Sequence, residues 1–152
     1  MAIVSAVCNS FKTEVLEAKH NFLASGGNTF KLALYTSSAN LGASTTAYAT
    51  NPGGGSNTEI TNTSGSAYDP GGKALTSVNP ALDGSTACCD FADISFTSAS
   101  FTANGCLIYN DSDSGDAAVC TIAFGSDKTV TSGTFTIQFP NATASTAILR
   151  IA

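Results

Sequence analysis

From Ala87 onward the chain alternates apolar, strand-like segments with turns and carries few charges. Between Thr134 and Phe139 every second residue is large and apolar (Phe135, Ile137, Phe139), the period that sets one face of a β-strand against a core. Ala147 to Ala152 closes the chain in a similarly apolar run. Nearer the start, Phe30, Leu32 and Leu34 alternate with Lys31, Ala33 and Tyr35, which predicts a strand within Thr29 to Thr36. Lys73 to Val78 and Ala87 to Phe96 predict two more, with Pro80 and Asp83-Gly84 turning the chain between them. Asn104-Gly105 fits a hairpin or a glycine bulge inside one long strand, and the bulge is the preferred reading. Gly125 to Lys128 and Thr131 to Gly133 are expected to separate the last strands. About seven or eight short strands predict one all-β domain over residues 1–152, a β-sandwich or jelly roll.

The period changes to helical once. Phe11, Val15, Ala18 and Phe22 predict a helix over about residues 10–25, capped by Asn9 or Ser10 and stopped by Gly26-Gly27. Its polar face carries Lys12, Glu14, Glu17 and Lys19, and the sole histidine, His20, reads as a surface or boundary residue. Over residues 37–72 neither period holds, and Ser, Ala, Thr, Asn and Gly dominate. So long a loop is either a flexible excursion or an arm ordered on a partner. Leu41, Tyr48, Ile60 and Tyr68 are its large apolar residues and the candidate partner-binding anchors.

Composition narrows the partners. Charged residues make up 11% of the chain, against roughly 25% in soluble proteins generally, so the surface is polar without being ionic. A formal net charge of −5, with six scattered Lys and Arg, argues against a nucleic-acid partner, because phosphate contacts need clustered cations. No apolar run is long enough to span a membrane, and Met1 to Val7 lacks the basic flank and length of a signal peptide, so the mature chain is expected to begin near Met1.

The five cysteines show no metal-type spacing. If residues 101–110 and 117–124 form a hairpin, Cys106 and Cys120 fall nearly opposite each other, a placement that admits a cross-strand disulfide; otherwise they are small buried hydrophobes. Cys88 and Cys89 point to opposite faces of any strand that holds them.

No reading of the residues leads to an enzyme. The acidic loop Asp111-Ser112-Asp113-Ser114-Gly115-Asp116 suggests a calcium loop, but glycine stands at the fifth position and no glutamate at the twelfth, so a solvated hairpin tip is expected instead. Asp90 and Asp93, three residues apart, would face opposite ways on a strand, and their spacing alone does not support a glycosidase pair. There is no Gly-x-Ser-x-Gly elbow, and Gly53 to Gly55 lacks the lysine of a phosphate loop. No catalytic residue, metal or cofactor is assigned. Asn62, Asn110 and Asn141 open glycosylation sequons, which matter only in a eukaryotic secretory setting.

Several segments carry a resemblance: residues 4–12, Phe30 to Leu41, Gly71 to Thr76, Asp90 to Asp93, Leu107 to Asn110 and Phe124 to Gly133. In order, and over nearly the whole chain, they resemble a family of small virion proteins of tailed bacteriophages. The chain departs from that family in its extra cysteines and in residues 57–66. The resemblance implies a structural protein of the virion, most like a capsid decoration (cement) protein on the outer capsid surface. Its implied partner is the major capsid protein, bound as a homodimer or homotrimer. The alternative is a tail or fibre component that binds the host receptor, and a virion-associated carbohydrate enzyme, tested through Asp90, Asp93 and Asp111, is third. An acidic domain would be repelled by packaged DNA, which favours an outer location.

Overall fold

The alternation at Thr134 to Ile137 ends a strand far longer than the turn-like sequences predict. The computed structural model describes residues 2–61 and 67–152, so the sequon at Asn62 and part of the expected arm lie outside the described residues. Strand β7 (Ala117–Ile137) pairs antiparallel along its length with β6 (Ile94–Asn110), and Gly125 to Lys128 and Thr131 to Gly133 lie inside it. These turn formers bend the strand without ending it. Gly105 pairs with Ala123 and Ala103 with Lys128, so Asn104 alone faces Phe124, Gly125, Ser126 and Asp127. Gly125 takes φ +78°, and the Asn104 amide donates to Asp127 Oδ1 at 2.8 Å across the gap. One long strand does run through Asn104-Gly105 as expected, but the bulge's extra residues lie opposite, on β7. Gly105 is required there, since a Cβ would meet Ile122 O at 2.6 Å and Ile3 Cγ2 at 2.7 Å. Farther out, Ser132 at φ +47° adds a second irregularity, its N–H bonded to Ser100 Oγ at 2.8 Å.

Among the described residues the fold is all-β, with two antiparallel sheets and one short helix. The larger sheet has the order β1-β7-β6-β2-β3, where β1 is Ala6–Val7, β2 is Phe30–Tyr35 and β3 is Lys73–Ala74. The smaller runs β4-β5-β8, where β4 is Ser77–Asp83, β5 is Thr86–Phe91 and β8 is Leu149–Ile151. The stretch expected as one strand from Ala87 to Phe96 breaks at Ala92-Asp93, the corner at which the chain changes sheets. Lys73 to Val78 likewise divides between the sheets. Pro80 lies within β4 instead of turning the chain; an edge strand bulged between Val78 and Ala81 tolerates its missing N–H. Asp83-Gly84 does turn it, closing the hairpin at the Asp83↔Thr86 pair. Phe30 of the larger sheet meets Phe91 of the smaller at 5.7 Å between ring centroids, joining their apolar faces in one core.

The helix is shorter than its apolar period predicts. Helix α1 covers Asn9–Leu16, its N-cap is Cys8 with no side-chain bond, and Ala18 at φ +58° takes the chain out of helical geometry. Two rings in the next segment explain the early stop. Phe22 lies flat on Phe30, 4.4 Å between centroids and 2° between planes. His20 is buried, not at the surface: its Nε2 lies 3.0 Å from Glu14 Oε2, and its Nδ1 accepts from the Asn110 amide at 3.2 Å. A continued helix could not deliver both rings to these partners.

The described part of residues 37–72 is folded onto the larger sheet, which corrects the expectation of a free arm. Backbone bonds run from Val4 N to Leu41 O (2.9 Å), Tyr48 N to Asp116 O (2.9 Å), Thr36 N to Thr58 O (2.8 Å) and Ile60 N to Leu34 O (2.9 Å). At the centre lies Glu59, 4% exposed. Its Oε1 accepts from the Tyr68 hydroxyl and from Gly71 N, each at 2.7 Å, and its Oε2 accepts from the Tyr48 hydroxyl at 2.7 Å. A buried carboxylate is tolerable only with such partners. Glu59→Ala should therefore leave three donors stranded and lower the unfolding free energy by about 2–4 kcal/mol, read by urea denaturation. A loss below about 0.5 kcal/mol would show that the network carries no weight.

Candidate interaction surface

Burial decides the fate of the expected partner anchors. Leu41, Ile60 and Tyr68 are buried in the chain's own core, and Tyr48 is half-buried, stacked 4.8 Å from Tyr109 and bonded to Glu59. Tyr68 also donates to Glu59 and receives the N–H of Leu34 at 2.9 Å. These residues hold the loop to its own sheet, so they are not a partner surface. Sequence alone does not reveal this burial, because residues 37–72 lack the period that marks a core contribution.

The proposed disulfide is corrected as well. All five cysteines are free and buried. Cys106 pairs with Ile122 and Ile108 with Cys120, so Cys106 and Cys120 are diagonal neighbours, not an opposed pair. Burial pushes the Cys106 thiol up to about 12 from its ordinary 9.0, and it raises Cys120 as well. Burial likewise lifts Cys8 to about 11, helped by the Glu14 carboxylate, and Cys89 to about 12, helped by Asp90.

The carboxylates are engaged locally. Asp90 Oδ1 accepts from Phe91 N at 2.8 Å, Asp93 Oδ1 from Phe139 N at 2.9 Å, and Asp111 pairs with Lys31 at 2.8 Å. Asp113 caps Gly115 N at 3.0 Å and lies 3.7 Å from Lys19. Among the described residues no group of three or more His, Cys, Asp and Glu is arranged to hold a metal ion.

The open apolar surface lies elsewhere, in two places. The bulges coil β7 back toward its own middle: Phe124 approaches Phe135 to 6.2 Å, and Ile122 and Ile137 line the same hollow of about 440 Å³. Val7, Phe139 and Ile148 complete its apolar wall, Ser5, Thr121 and Gln138 lie among them, and no charged residue lines it. On that side of β7, β1 covers Cys120 and Thr121 and the loop around Ala47 covers Ala117 and Ala118, and no strand pairs there beyond Ile122 among the described residues.

The second surface lies where α1 meets the smaller sheet. Leu16 is 88% exposed, Leu82 72% and Ile151 65%. Leu82 and Ile151 flank Ala87 in register, and Val15, Pro80, Ala87 and Ile151 border one cleft of about 120 Å³. Leu23 and Val78, also exposed, adjoin it where Ala24 N bonds Asn79 Oδ1 at 2.8 Å. Scattered apolar side chains are ordinary on a surface, but a contiguous group marks a contact. Sequence reading missed both surfaces, because periodicity marks which residues are apolar and not which of them the fold leaves uncovered.

No protein-family model matches the chain, and no curated protein or solved structure matches it.

The thiols make a direct check. A folded state that disfavours thiolate is stabilised fully below the ordinary value near pH 9 and loses that contribution as pH rises through about 12. The melting temperature should accordingly fall between pH 9 and 12 by more than in a variant with Cys106 and Cys120 changed to Ala, each compared with its own value at pH 8. A thiol reagent at pH 8 should leave the native chain unlabelled and titrate all five cysteines once it is unfolded.

Proposed function

We propose that this chain is a structural protein of a tailed-bacteriophage virion, decorating the outer capsid and stabilising contacts between major capsid subunits. The reading takes its location from the sequence resemblance and its mode of action from one observation: the uncharged apolar hollow beside the uncovered reach of β7. An extended capsid segment laid along β7 would place side chains into the hollow and bond its backbone to the strand edge. Filling the hollow gains about 25 cal/mol per Å² of apolar surface removed from water, and many copies on one shell add by avidity. The low charge of the chain keeps the desolvation cost of such contacts small. On this reading the two sheets act as a sandwich-like scaffold, and the protein is bound as a homo-oligomer, a dimer or a trimer.

No catalytic step is part of this function. The carboxylates once considered for sugar chemistry are tied to backbone N–H groups or to Lys31. The acidic character of the chain, net −5, favours the outer face of the shell over contact with packaged DNA.

Cryo-electron microscopy of the intact virion should reveal repeated density for this domain on the outer shell, with β7 toward the capsid. Density confined to the tail would overturn the assignment. Phe124→Ser should fold, checked by its melting curve, and should weaken retention on capsids about tenfold in co-sedimentation, from loss of the phenyl contact.

A further inference from the structure

We propose that His20 is a proton-operated latch: charging its ring loosens the two segments that Asn110 ties together, residues 17–28 and the hairpin tip at residues 111–116. The inference concerns the fold's own response to acid and does not depend on what the protein binds.

The tautomer of His20 is set by backbone groups of fixed polarity. Ser112 N–H can only donate, and it donates to Asn110 Oδ1 at 3.1 Å. Lys19 O can only accept, and it takes the Asn110 amide at 3.2 Å. These two bonds orient the Asn110 side chain, so the group 3.2 Å from His20 Nδ1 is its NH2. Nδ1 is therefore an acceptor, and the ring proton sits on Nε2, aimed at Glu14 Oε2 at 3.0 Å.

A second proton has only Nδ1 to occupy, and there it meets a donor. Solvent does not relieve the conflict, because the His20 side chain and Asn110 are both 0% exposed. The ring is packed among Phe11 at 4.9 Å, Phe30 at 6.3 Å and Phe22 at 6.4 Å between centroids, and phenyl rings offer no lone pair. Turning the Asn110 amide over would give the new N–H an oxygen, but it would set the NH2 against Ser112 N–H and the oxygen against Lys19 O. Charge on His20 thus breaks the joint on one side or the other.

The neighbouring charges set the direction. Glu14, the carboxylate in contact, draws a positive ring toward α1 and away from Asn110. Glu14 is shared with Lys19 at 3.2 Å, Lys19 lies 3.7 Å from Asp113, and Asp111, beside Asn110, is held by Lys31 at 2.8 Å. The Cys8 thiol, pushed up by burial and then by Glu14, stays neutral in acid. Histidine is the side chain that ordinarily changes charge between pH 5 and 8, and His20 is the sole one in the chain.

Both tied segments hang on few other contacts at this point. Asn28 Oδ1 lies 3.4 Å from the Asn110 amide and accepts from Asn21 N, while Ser112 Oγ takes Thr29 N at 2.8 Å. The first segment also carries Phe22 to its stack on Phe30, so loosening it opens the aromatic end of the core.

Nuclear magnetic resonance of the full chain between pH 8 and 5 tests the latch. The imidazole ¹⁵N spectrum at pH 8 should place the His20 proton on Nε2 and none on Nδ1. As the ring takes its second proton, exchange protection of the Ser112 and Asn21 N–H groups, corrected for the intrinsic rate at each pH, should fall about tenfold along the same curve. Protection of Ile60 N–H, bonded to Leu34 O far from the ring in sequence, should not change. His20→Gln, checked for folding by its melting curve, has no ring to charge and should lose the step. A proton on Nδ1 at pH 8, a ring that charges with no loss at Ser112 and Asn21, a ring that stays uncharged down to pH 5, or a step that persists in the folded variant would each overturn the latch.

Discussion

The buried carboxylate of Glu59 is the constraint on which the long connection between β2 and β3 depends. Residues 37–61 and 67–72 have few apolar side chains to drive their packing, and their ordering costs about 1–2 kcal/mol per residue in backbone entropy. What offsets that cost is a polar network assembled at one point. Tyr48 and Tyr68 come from opposite ends of the loop, Gly71 brings the return to β3, and all three donate to one side chain. The tyrosine rings then supply the apolar contact that the loop otherwise lacks, Tyr48 on Tyr109 and Tyr68 on Phe96 at 5.7 Å. Tyr109 completes the arrangement by donating to Gly71 O at 2.6 Å. Polar and apolar terms therefore act on the same few residues, and the charge is affordable because every carboxylate oxygen has a donor.

A second constraint shapes the open surface. A flat ribbon of β6 and β7 would hold its far end away from the rest of the molecule. The four residues opposite Asn104, and the irregularities near Ser98 and Ser132, coil it instead. Phe135 then reaches Phe101 at 5.0 Å and Phe139 reaches Phe91 at 6.0 Å, so the coil is closed by aromatic contacts. The hollow is what remains between β1 and the returning end of β7. Its apolar wall is a consequence of the same alternation that made the strand recognisable.

Much of the strand content was legible because alternation of large apolar residues marks a strand, as in Phe30, Leu32 and Leu34, although β2 is covered on both faces and Ala33 and Tyr35 are wholly buried as well. The limits of each element were not. Phe11 and Val15 keep the helical period and Phe22 continues it in sequence, yet Phe22 reaches the core by a non-helical path set by the flat stack on Phe30. Gly125 and Gly133 mark turns in most strands, but here the pairing with β6 resumes on the far side of each. Both errors share a cause: local pattern cannot register a partner that lies distant in the chain. The same holds for Glu59, whose charge gives no sign of burial until Tyr48 and Tyr68 are brought around it.

Low charge has a consequence for how such a chain behaves in many copies. A net charge of −5 spread over 152 residues gives weak long-range repulsion, screened beyond about 8 Å at physiological ionic strength, so it does little to keep copies apart. Self-association must then be limited by local features. On β4 the limiting features are Pro80 and the bulge, which deny a second strand its ladder. An edge strand interrupted in this way can leave Leu82 exposed beside it without offering a continuous backbone template for a second strand.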